Sequence, residues 1–163
     1  HFGNFSGLFL GLVDRDGKVF LDMTGQHTRQ ALITDMNEQY QMGLTEEEKY
    51  KFSIYGAFGV PRSNLRRWLA MTPSERQSPD VPGVPTDSIN NELGPWIHNA
   101  RLASFRMKQE GVVKDEYVIV LKADKDTPYS AIQRVINTLV DINVNKFNLI
   151  TNMEADPNKT QAL

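Results

Sequence analysis

The stretch from residue 117 to 152 constrains the fold more than any other part of the chain. YVIVLKA (117–123) is apolar on both faces and reads as a central strand. Thr127-Pro128 follows, a capping residue with proline at the first helical position. The helix is predicted to run to about Ile142, with Ile132, Val135, Ile136 and Leu139 spaced i, i+3, i+4 and i+7. KFNLITN (146–152) reads as a second strand. Strand, helix and strand make a βαβ unit, which predicts parallel strands and a right-handed crossover.

The other end of the chain reads as a hairpin. In LFLGLVDRDGKVFLDM (8–23) two apolar runs flank Asp16-Gly17, a strong short turn signal. With these as a two-residue loop, Leu12 faces Leu21 and Leu10 faces Met23. Leu8, Leu10, Leu12, Leu21 and Met23 then share one face. Phe9, Val13 and Phe20 share the other with Asp22. Neither face is polar, so Phe9, Val13 and Phe20 form a candidate dimer or partner surface. From Thr24 to Tyr40, Thr28 is expected to cap a helix burying Leu32, Met36 and Ile33, with Tyr40 on the same stripe.

The middle is helical and then irregular. Thr45 and Glu48 form a capping box for a helix to about Phe58. Gly59-Val60-Pro61 breaks it, and 63–71 reads as a short helix with Leu65, Trp68 and Leu69 inward. Pro73, Pro79, Pro82 and Pro85 then predict a stretch without regular structure. Helical periodicity resumes over 88–109, where Trp96, Ala100, Ala103 and Met107 line one face, with Ile97 beside them. The tail from Glu154 is polar and is expected to fray. The order β-β-α, helical middle, β-α-β predicts an α+β fold, a mixed sheet with helices on one face.

Composition excludes several function classes. The 163 residues carry 18 Lys plus Arg against 20 Asp plus Glu, a net charge of -2, which argues against a nucleic-acid binder relying on bulk positive charge. The absence of cysteine removes disulfides, thiolate zinc sites and cysteine nucleophiles. No run approaches the roughly 18 apolar residues of a membrane span. The chain begins at His1, which reads as a trimmed piece of a longer protein.

Catalytic signals are weak. His1, His27 and His98 have no metal-type spacing, so neither a metal nor a cofactor is expected. Asp124 and Asp126 precede a helix start, where acidic side chains accept backbone N–H groups, a better fit than paired acid–base work. Nucleophile elbow and phosphate loop are both missing, so an enzyme is not expected. Arg62, Asn64, Arg66, Arg67 and Trp68 form a basic-aromatic cluster. With Glu46, Glu47 and Glu48 close in sequence, it reads as a solvated helix face. RNA-binding sheets need exposed aromatics on central strands, and these strands offer only Tyr117 and Phe147.

KADKDTPYSAIQRVINTLVDINVNKFNLIT (122–151) resembles the periplasmic C-terminal region of ExbD/TolR-type biopolymer transport proteins. The matching residues are Ala123, Asp124, Thr127, Pro128, Tyr129, Val135, Leu139, Asn143, Lys146, Leu149 and Thr151. The hairpin with Asp16-Gly17-Lys18-Val19 and Leu21-Asp22 is similar to the family's D-G-K segment. The resemblance covers about half the chain, at its two ends, and its C-terminal pattern is the specific part. Short family members have only a brief connection between the first helix and the next strand. Here 42–116 intervenes as a helical insertion into one domain spanning 1–163.

The resemblance implies the periplasmic domain of an inner-membrane, proton-motive-force-coupled complex of the TonB/ExbB/ExbD type, powering outer-membrane transport. The implied partners are a second copy of the chain (a homodimer), an ExbB-like proton channel and a TonB-like transducer. A peptidoglycan-anchoring role of the TolR kind is the alternative. One transmembrane helix carrying the family's proton-carrying aspartate would precede His1. Asp124, Thr127, Pro128 and Tyr129 are then family-motif residues with a structural or partner-facing role, and none is catalytic.

Overall fold

Asp14 sets the geometry of the N-terminal hairpin. In the computed structural model, which describes residues 7–152, its Oδ1 accepts from the backbone N–H groups of Asp16 and Lys18, both at 2.9 Å. Its carbonyl accepts from Gly17, whose φ of 81° needs glycine. The loop therefore takes up residues 14–18, and strands β1 (Leu8–Val13) and β2 (Val19–Met23) pair with Val13 opposite Val19 and Phe9 opposite Met23. The expected two-residue loop placed Leu10 opposite Met23. The shift is one residue, and it turns β1 over. Phe9 and Val13 are buried at 3% and 2% exposure in the core, so they are not a partner surface. His1 and the tail from Glu154 lie outside the described residues.

The βαβ unit forms as its pattern predicts. Strand β3 (Val118–Asp124), helix α6 (Tyr129–Asp141) and strand β4 (Asn148–Asn152) follow in turn, with β4 parallel to β3. β3 also pairs parallel with β1, giving a mixed sheet of order β2-β1-β3-β4. Proline at 128 takes the cap position rather than the first helical one. Thr127 caps nothing, and its hydroxyl donates to the Val13 carbonyl instead. Register places Phe9, Gly11, Val13, Leu121 and Ala123 on one sheet face with Leu21 and Met23.

Helices pack on that face. Helix α1 (Gln26–Tyr40) contributes Leu32, Ile33 and Met36, as its periodicity predicts. Its cap position is Gly25, at φ 92°. Thr28 lies in the first turn, buried, with its hydroxyl unpartnered, so the expected cap is corrected. Helix α6 adds Ala131, Val135 and Leu139.

The middle segment joins the same core. Helix α2 (Glu46–Ile54) starts at the Thr45/Glu48 capping box, and helix α3 (Leu65–Leu69) buries Leu65, Trp68 and Leu69. Helix α4 (Pro73–Arg76) is one turn with Pro73 inside its start, regular structure where the prolines predicted none. Helix α5 (Leu93–Gln109) buries Trp96, Ile97, Ala100, Ala103 and Met107. Phe52, Phe58, Trp68 and Trp96 pack in one aromatic cluster, Phe52 stacked on Trp96 and the other pairs tilted or edge-on, continuous with the sheet-facing core. The α2 helix stops before Phe58, which bonds Leu21 in both directions at 2.8 and 2.9 Å and covers the outer edge of β2.

Candidate interaction surface

The two edges of the sheet differ. The β2 edge is occupied: besides Phe58, Val84 donates to the Val19 carbonyl at 2.8 Å. The β4 edge pairs with β3 on one side and with nothing among the described residues on the other. Leu149 shares the helix-covered face with its neighbour Leu121, and Ile150 shares the opposite face with Lys122. Each is 48% exposed. An open edge flanked by apolar side chains is a ready site for pairing with another strand.

A groove of about 1140 Å³ opens near that edge, between α5 and the beginnings of β3 and β4. Phe9, Ile119, Val144 and Phe147 supply apolar lining. Leu102 and Phe105 of α5, 48% and 50% exposed, border it, and His98, Arg101 and Lys146 add polar heads. Glu116 is the single carboxylate among the lining residues. Arg101 is tied down, donating from Nη1 to the Ile142 carbonyl at 3.0 Å.

Asp124, Thr127, Pro128 and Tyr129 lie at the other end of β3 from this groove. Asp124 Oδ1 accepts from the Asp126 backbone N–H at 2.9 Å, and Thr127 N–H donates to the Asp124 carbonyl. These bonds, with Thr127 on Val13, shape the turn from β3 into α6. Pro128 caps that helix, and Tyr129 projects at 72% exposure, its hydroxyl donating to Gln133. Asp126 faces Arg15 at 3.8 Å, both well exposed. Asp124 and Asp126 are thus turn residues. Phe20, the third member of the expected partner surface, is half-buried against Gly59.

Several of the charged residues elsewhere are engaged within the fold. Arg62 approaches Glu92 and stacks on Tyr40, and Arg66 pairs with Glu48 at 3.0 Å, while Trp68 is buried. Of the basic-aromatic cluster, Asn64, Arg66 and Arg67 are exposed as a solvated face requires, Arg62 is partly buried, and Trp68 belongs to the core. Arg29 is buried, donating to the Phe52, Gly56 and Met23 carbonyls and to Asp22. Burial raises the Asp22 carboxyl above its ordinary value, against the opposing pull of Arg29, and burial lowers the Arg29 guanidinium. His27 and His98 are exposed, and no group of three or more His, Asp or Glu among the described residues is placed to hold a metal ion.

No family model, curated protein or solved structure matches this chain. No helix among the described residues is long and apolar enough to cross a membrane. Periodicity alone missed Leu102 and Phe105 as surface residues. Their signal was present, since both fall off the stripe of Trp96, Ala100, Ala103 and Met107 on α5.

Proposed function

We propose that this chain is the periplasmic interaction domain of an inner-membrane, proton-motive-force-coupled complex of the ExbD/TolR kind, serving biopolymer transport. Its anchor would be a single transmembrane helix, and its partners an ExbB-like channel and a TonB-like transducer. It acts by binding rather than by chemistry. The observation that carries the reading is the β4 edge, open among the described residues and flanked by half-exposed Leu149 and Ile150. A second copy or an extended partner segment adds there as a strand, its backbone meeting the free N–H and C=O groups. The resemblance of 122–151 to the family supplies the compartment and the partners.

Sedimentation over a concentration series, with titration of the transducer's periplasmic segment, tests the proposal. Association is expected, and Ile150→Lys is expected to weaken it by placing a charge on the edge. A strict monomer that also ignores the transducer segment overturns it. Sedimentation with purified peptidoglycan in place of that binding selects the TolR-like anchor.

A further inference from the structure

We propose that the groove between α5 and the beginnings of β3 and β4 receives the alternate side chains of an acidic, extended partner segment laid along β4. This rests on the strand-addition reading above and specifies what such a segment looks like. The first argument is size. At about 1140 Å³ the groove exceeds the roughly 300–1,000 Å³ of small-molecule sites, and its walls are open. That shape suits a stretch of chain better than a metabolite.

The second argument is continuity. Asn148, the first residue of β4, lines the groove, and so does Phe147 before it. Leu149 lies on the helix-covered face, with Leu121 as its register partner. A strand added outside β4 would send every second side chain toward that face. Leu149 on that face, and Leu102 and Phe105 in the groove wall, supply half-exposed apolar surface for them. The third argument is charge. Lys146 and the fixed Arg101 outnumber Glu116, so a carboxylate on the incoming strand is favoured over an ammonium.

The probes are two amidated, acetylated octapeptides with threonine at even positions. One carries Glu, Leu, Val and Phe in order at the odd positions, the other the reverse, so that either strand direction is served. Lysine-for-glutamate versions are the controls. The chain is expected to bind one glutamate probe better than its lysine control. Amide NMR shifts should concentrate at 102–105 and 146–149. Phe105→Asp should weaken binding about tenfold, as for a central apolar contact. Lys146→Glu should invert the preference between glutamate and lysine probes. Both side chains are exposed, and the wild-type shift map needs no variant at all. Absence of binding, shifts centred elsewhere, or variants that bind like the wild type each overturn the groove assignment. If the transducer segment or a second copy still associates in that case, the proposed function stands without it.

Discussion

The guanidinium of Arg29 lies 3.0 Å from the carboxylate of Asp22, tying the first turn of α1 to the outer strand β2. The same side chain donates to the Phe52 carbonyl at 2.8 Å and the Gly56 carbonyl at 3.1 Å, which brings in α2 and the loop after it. One buried cation therefore fastens the 42–116 segment to the sheet. Arg29→Met removes these bonds and leaves buried acceptors unmet. It should cost about 3 kcal/mol in urea unfolding at neutral pH. Part of that loss depends on pH. The Asp22 carboxyl is already raised by burial, and without the cation it rises further. A raised carboxyl contributes stability fully present below its unfolded value and lost as pH climbs through the folded one. The variant should thus lose less, relative to the wild type, in mild acid than at neutrality.

The capping box at the start of α2 gives the opposite sign. Glu48 is held below its ordinary value, first by the Thr45 backbone N–H and further by Arg66. Its contribution is complete above the ordinary glutamate value and disappears as pH falls through the depressed one. Glu48→Gln should flatten the acid limb of a stability-against-pH curve while leaving the alkaline limb in place. Thr45→Ala removes the reciprocal bond to the Glu48 N–H and should cost about 1 kcal/mol at neutral pH, read by thermal unfolding.

Local periodicity predicted most of this fold. Leu32, Ile33 and Met36, or Val135 and Leu139, recur at helical spacing because one face must leave water, so their burial could be read directly. The Thr45/Glu48 cap is local too. The hairpin register was not legible, because Asp16-Gly17 fits a two-residue loop, whereas the Asp14 carboxylate captures two N–H groups and widens it. Nothing local announced that Phe58 would pair with Leu21, 37 positions away in a segment that reads as helix. The candidate surface followed the same divide. Leu149 and Ile150 were visible as strand residues, but an open edge depends on strand order, which is a tertiary property.

Substitution at neighbouring positions of β1 tests the register. Phe9 is buried at 3% exposure on the helix-covered face, while Leu10 is half-buried on the other. Phe9→Ala should therefore cost about 3–5 kcal/mol, the usual range for emptying a packed aromatic site. Leu10→Ala should cost about 1 kcal/mol, since less apolar area is lost from contact. Denaturant midpoints with unchanged slopes would establish the order. The two-residue loop requires the reverse order, with Leu10 the costlier position.

Gly59 and Phe20 provide a sharper test, because one makes room for the other. A Cβ on Gly59 would stand 2.6 Å from Phe20 Cε1, closer than real contacts come, and 3.0 Å from its Cγ. The Gly59 backbone is not in the left-handed region, so the obstruction is steric and comes from the ring. The ring is wedged between the outer strand and the segment that covers its edge, where Gly59 also accepts from Gly83 at 2.7 Å. Gly59→Ala should cost about 1–3 kcal/mol, the range for overpacking. Phe20→Ala removes the ring and its half-buried area, at about 2 kcal/mol. In the double variant the alanine methyl enters vacated space. The combined loss should fall short of the sum by about 1–2 kcal/mol, well beyond the additivity of independent sites. Additive losses in urea unfolding would show that Phe20 does not rest on Gly59, and that the edge of β2 is closed in some other way.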